Sequence, residues 1–100
     1  MKANNFLTLL ATVAPAFARL YVGHLNHEVT QDDLEAFFAK YWTVKSTLLA
    51  TDPKTGLSRG YGFVTLSSDS EEYNAIEAFN GAEWKGRTLQ VIKDGSVENV

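Results

Sequence analysis

Two short runs alternate apolar and polar positions with the period of a β-strand, and they frame the rest of the chain. In Leu20-Tyr21-Val22-Gly23 and Arg59-Gly60-Tyr61-Gly62-Phe63-Val64-Thr65-Leu66, successive side chains point to opposite faces of a sheet. Leu20, Val22, Val64 and Leu66 share one face and can close a core. Tyr21, Gly23, Arg59, Tyr61, Phe63 and Thr65 share the other. Between the runs, Leu34, Phe37, Phe38 and Tyr41 recur at i, i+3, i+4 and i+7, the core-facing stripe of an amphipathic helix. Thr30-Gln31-Asp32-Asp33 precedes that stripe as a capping box, with acids at the positive end of the helix. Ser68-Asp69-Ser70-Glu71 opens a second helix in the same way. Ala75, Ile76 and Phe79 are its buried stripe, and Asn80-Gly81 predicts an αL cap. Val44 to Ala50 reads as a second strand, Asp52-Pro53-Lys54-Thr55-Gly56 as a turn, and Leu89 to Lys93 as the last strand. The order strand, helix, strand, strand, helix, strand predicts an α+β, ferredoxin-like βαββαβ sandwich. Two helices would cover one face of a four-stranded antiparallel sheet.

The uncovered face carries the chemistry. Aromatic rings exposed on a sheet cost hydrophobic free energy unless something stacks on them, and unstacked bases do so. Tyr21, Tyr61 and Phe63 are the candidate platforms, and Arg59 beside them is placed to hold a phosphate. Alternation from Leu49 puts Ser46 and Leu48 on the same face, and alternation from Leu89 and Val91 adds Gln90 and Ile92. Leu48 and Ile92 are apolar, which suits an apolar partner as well as a base.

Arg59-Gly60-Tyr61-Gly62-Phe63-Val64-Thr65-Leu66 resembles the octamer of the RNA-recognition motif, Lys/Arg-Gly-Phe/Tyr-Gly/Ala-Phe-Val-x-Phe/Tyr, at every specified position but the last. There Leu66 replaces an aromatic residue on the core side. Leu20-Tyr21-Val22-Gly23-His24-Leu25 resembles the hexamer on that family's first strand, with His24 where asparagine is usual. Trp42 stands where the family usually has glycine, which predicts an altered helix exit and an exposed ring. The resemblance covers about residues 19–94. The stretches EVTQDDLEAFFAKY and SSDSEEYNAIEAFNGAEWKGRTLQV are most similar to the small single-domain members of cyanobacteria. It implies single-stranded RNA as partner, with bases on Tyr21, Tyr61 and Phe63, a phosphate on Arg59, and Gln90, Ile92 and Lys93 of the last strand contributing specificity.

Composition narrows this picture. At 100 residues the chain fits one domain, and the absence of cysteine excludes disulfides, zinc–thiolate sites and thiol catalysis. No nucleophile–base pair, close carboxylate pair or metal cluster is legible, so neither an enzyme nor a cofactor is expected. His24 and His27 read as loop residues, Trp84 as core, and Lys45 and Lys54 as solvated charges. The net charge of −3 is unusual for a nucleic-acid binder and assigns much of the affinity to stacking.

Residues 1–18 stand apart from the domain at 19–94, and 95–100 read as a flexible tail. Phe6, Leu9, Leu10, Val13, Ala14 and Phe17 form one helical stripe, which Pro15 bends or ends. This segment is a presequence, a secretory signal or a retained amphipathic helix, and it is too short and polar to span a membrane. A monomer in the cytoplasm is expected, or in an organelle if residues 1–18 are a cleaved presequence. In a rival reading the domain binds protein, its sheet face covered by its own N-terminal helix or a partner's.

Overall fold

The computed structural model describes residues 18–94. The N-terminal stripe over residues 6–17 and the tail at 95–100 therefore lie outside the described residues. The main sheet contains β1 (Arg19–Gly23), β2 (Val44–Thr51) and β3 (Ser58–Leu66). Its fourth strand is β6 (Gln90–Lys93), and the spatial order is β2-β3-β1-β6 with every pair antiparallel. Helices α1 (Gln31–Ala39) and α2 (Asp69–Phe79) bring Leu34, Phe38, Ala75 and Phe79 into one core with Leu20, Val22, Leu49, Val64, Leu66 and Val91. The expected βαββαβ sandwich is present.

α1 begins as the sequence requires. Thr30 Oγ1 accepts from the Asp33 amide at 3.0 Å, and the Asp33 carboxylate accepts from the Thr30 amide at 3.1 Å, completing the capping box. α2 has half of the expected box. Ser68 Oγ accepts from the Glu71 amide, but Glu71 Oε1 takes the Thr43 amide at 2.9 Å, tying the α2 start to the entry of β2. The exit of α2 also differs from the expected αL cap. Asn80 is extended at φ −68° and ψ 119°, and the amide of Gly81 leaves the helix to bond the Leu89 carbonyl.

Two aromatic predictions need correction. Tyr41 is 60% exposed, because α1 stops at Ala39 and the last member of the stripe falls beyond it. Trp42 is half-buried rather than solvent-facing. Its ring meets Phe79 edge-on at 4.9 Å and fills the end of the core where a glycine would leave room. Trp84 is half-buried and stacks on Phe37 at 4.1 Å. It belongs to a small hairpin that the sequence reading did not separate from the last strand, β4 (Glu83–Trp84) and β5 (Arg87–Thr88). Lys85 and Gly86 at φ 51° and 81° make its two-residue turn, because that turn matches the right-handed twist of the strands only with positive φ at both positions.

Candidate nucleic-acid interface

The register across the sheet arranges the open face in rows. Tyr21 lies opposite Phe63 on β3 and Ile92 on β6, while Phe63 lies opposite Leu48 on β2. Leu48, Phe63, Tyr21 and Ile92 thus form one lateral row through all four strands. The neighbouring row pairs Tyr61 with Gly23 and Gly23 with Gln90. A third row places Ser46, Thr65 and Arg19 side by side. Tyr21, Tyr61, Phe63, Gln90 and Ile92 are half-buried, so their flanks pack on one another while part of each stays open to solvent.

The rings form one cluster. Tyr21 stacks on Tyr61 at 5.9 Å between centroids and 28° between planes, and both meet Phe63 at steep angles at 5.8 and 6.1 Å. Gly23 makes this possible. A Cβ there would lie 2.7 Å from Cε2 and the hydroxyl oxygen of Tyr21, so the missing side chain gives the tyrosine ring its resting place. Gly62 serves the opposite face, where a Cβ would meet the Leu48 carbonyl oxygen at 2.7 Å and the Leu34 methyl at 3.1 Å. The alternating glycines of the octamer therefore have distinct roles. Gly62 admits close approach of β2 and α1, and Gly60 at φ +90° forms a bulge that redirects the strand before Tyr61.

Arg59 stands beyond that bulge. It is exposed, and its Nε donates to the Thr51 carbonyl at 3.3 Å, so its guanidinium is anchored at the β2 edge rather than laid on the rings. The turn that carries it is built as expected. Asp52 Oδ1 accepts from the Lys54 and Thr55 amides at 2.7 and 3.4 Å, and those bonds hold its carboxyl below the usual range. Lys93 does not join the face. The period of two sends it to the helix side with Leu89 and Val91, where its ammonium is 3.9 Å from Glu72 Oε1. His24 is an exposed loop residue at φ 62°, a left-handed position that histidine and asparagine both tolerate better than most residues. His27 Nδ1 lies 2.8 Å from the Ser58 carbonyl and holds the β1–α1 loop to β3.

Two residues of this face were missed in the sequence. Arg19 follows the same alternation as Tyr21, and its Cζ lies 5.6 Å from the Phe63 ring centroid. Asp94 holds it, accepting from Nε at 2.7 Å, while the Asp94 amide donates to the Arg19 carbonyl at 2.9 Å. Extending the period of two by one step would have found Arg19. Asp94 needed the pairing of β6 with β1.

Known proteins agree with the architecture. Residues 20–90 match the RNA recognition motif family. The chain is 58% identical over 74 residues to "Putative RNA-binding protein RbpA" of Nostoc sp., covering 74% of this chain and 72% of that protein. Among solved structures, RNA binding protein PG1 superposes with a TM-score of 0.72 at 38% identity, over 76% of this chain and 92% of that one. A Sex-lethal protein–RNA complex superposes at 0.71 with 30% identity, over 76% of this chain and 46% of that one. With both sequence motifs in place on adjacent central strands, the chain belongs to the RNA recognition motif family.

Proposed function

We propose that this protein binds single-stranded RNA without catalysing a reaction, by stacking bases on Tyr21, Tyr61 and Phe63. The observation that carries this reading is the half-open ring cluster at the centre of a sheet face that neither described helix covers, on the two central strands. Arg59, at the lip of the sheet, takes a backbone phosphate. Gln90 and Ile92 extend the surface towards the β6 edge and contact the next nucleotide. Lys93, on the helix side, contributes at most to the approach of the RNA. The RNA-binding character of the relatives named above supports the reading, as does the fit to the Sex-lethal complex.

Stacking is worth ~1–3 kcal/mol per base, so removing two platforms weakens binding by roughly twenty-five-fold or more. Tyr61→Ala with Phe63→Ala is therefore expected to abolish detectable binding of short RNA in fluorescence anisotropy, with the melting transition retained. Unchanged affinity in the double variant would remove the basis for this function. The rival reading, a helix laid over the sheet, needs Leu48 covered. Leu48 is 61% exposed, so no described residue of this chain covers it.

A further inference from the structure

Two hollows meet at the end of the sheet, where the β1–α1 loop faces the β2–β3 loop. One, of about 370 Å³, is lined by His27, Asp52, Thr55, Leu57, Ser58 and Arg59. The other, of about 280 Å³, shares His27, Leu57 and Ser58 and runs towards the start of α1. Each has room for one planar group rather than a large ligand. His27 and Leu57, common to both, are exposed, Leu57 by 57%. The backbone around them is tied down. A carbonyl only accepts, so His27 Nδ1 donates to Ser58 at 2.8 Å, which sets the orientation of the ring. Ser58 Oγ accepts from the Gly60 amide at 2.9 Å, and the Gly60 carbonyl accepts from the Leu25 amide at 2.9 Å. The Leu57 amide donates to Thr55 Oγ1 at 3.2 Å, and its carbonyl accepts from the Asp52 amide at 2.8 Å. A site built in advance loses little freedom when a ligand enters.

We infer that the base of the nucleotide whose phosphate Arg59 holds leaves the sheet face and packs between the two loops, stacked on the His27 ring against Leu57. This rests on the RNA-binding reading above and extends its site by one nucleotide. The hollow adjoins the platforms, because only Gly60 separates Arg59 from Tyr61 on β3. A Cβ on Gly60 would stand 3.8 Å from Cε1 and Nε2 of His27, so the imidazole rests against the bulge between guanidinium and tyrosine. An aromatic ring, an apolar side chain and a cation lining one hollow match the base and phosphate of a nucleotide. Asp52, the acid of this hollow, has Oδ1 engaged by the Lys54 and Thr55 amides.

The test uses the full chain and oligouridine RNAs lengthened one nucleotide at a time from either end. In wild type, one added nucleotide is expected to raise affinity about fivefold or more, and an abasic residue at that position to cancel the rise. His27→Asn keeps a donor for the Ser58 carbonyl without the ring. It should lose this step while binding the shorter RNA as wild type does. His27→Phe keeps a ring without the donor and should retain most of the step. Leu57→Ser, at an exposed loop position, should shrink the step with the melting transition unchanged. A step that survives His27→Asn would overturn the inference. An equal loss for shorter and longer RNAs in His27→Asn and Leu57→Ser would do the same, making the loops a structural support only. So would a wild type that binds the shorter RNA and gains nothing from any added nucleotide. If wild type bound none of these RNAs, the RNA-binding reading itself would fall.

Discussion

Gly23 and Gly62 lie on adjacent strands of the same sheet, yet alanine at each should fail in a different assay. At Gly23 the three atoms nearest the added Cβ all belong to the far end of the Tyr21 ring, the closest at 2.7 Å. What must give is the end of a side chain rather than backbone, and Gly23 is absent from the positive-φ positions. The ring can swing away into solvent. The folded state then loses the tyrosine's contact with Tyr61 but gains the lower unfolded-state entropy of alanine, ~0.5–1 kcal/mol over glycine in a strand. Stability should hold within about 1 kcal/mol. Binding should not, because a displaced ring no longer offers its stacking layer. One platform is worth ~1–3 kcal/mol, or roughly a five- to 150-fold loss of affinity. At Gly62 the Cβ meets the Leu48 carbonyl oxygen at 2.7 Å, Leu34 at 3.1 Å and the Leu49 Cα at 3.2 Å. Two of those atoms are backbone of the paired strand. Overpacking of this kind costs ~1–3 kcal/mol, which for a domain of this size lowers the melting temperature by roughly 4–8 °C per kcal/mol. Thermal melts by circular dichroism and anisotropy titrations with short RNA read the two effects separately. If Gly23→Ala binds RNA like wild type, or melts as early as Gly62→Ala, the assignment of these glycines is wrong.

Two further outcomes follow from the helix side. Glu72 is 4% exposed and its Oε2 has no hydrogen-bond partner, so burial raises its pKa despite the nearby Lys93. A carboxyl whose folded pKa lies above its unfolded value binds more protons when folded, so the cost is absent at low pH and grows as pH rises through the folded pKa. Glu72→Gln should therefore raise the melting temperature at pH 7, with the advantage shrinking as pH falls through the folded pKa towards the unfolded value near 4.5 and gone below it, followed by melts across that range. Thr30→Ala removes the α1 capping box and should cost about 1 kcal/mol in urea unfolding, with RNA affinity unchanged because the cap belongs to α1, whose buried residues pack on the sheet face opposite the rings.

The make-up of the open sheet face was legible because strand alternation needs no partner. Tyr21, Tyr61 and Phe63 could be assigned to one side from two motifs alone. Their mutual arrangement could not, since it depends on which residue faces which across β1 and β3, a register that the alternation of either strand alone does not set. Arg59 shows the cost of that gap. Alternation groups it with the rings, yet the bulge at Gly60 and the bond to Thr51 place its guanidinium at the β2 edge. Lys93 shows a different failure, since the period of two already separated it from Gln90 and Ile92. On the helices, the capping residues were right wherever the bond is local, as at Thr30. They were half right at Glu71, whose carboxylate is claimed by Thr43 from a distant part of the chain. Tyr41 failed because the helical spacing carries no mark of where the helix stops.

The net charge also changes meaning once the fold is known. Twelve acids against nine bases suggest a chain that repels RNA, and that argument treats the charge as uniform. It is not uniform. Asp32, Asp33 and Glu35 lie on α1, and Asp69, Glu71, Glu72 and Glu77 on α2, the layer opposite the aromatic face. Layers pack about 10 Å apart, while exposed charges are screened over about 8 Å at physiological ionic strength. A phosphate lying on the rings therefore feels the helix acids only weakly. Nearer to it, Asp94 is balanced by Arg19 and Asp52 lies close to Arg59. Among the described residues, the acids nearest the face are each set beside an arginine. On the proposed reading, stacking is then the main attractive term, with the Arg59 phosphate contact adding to it.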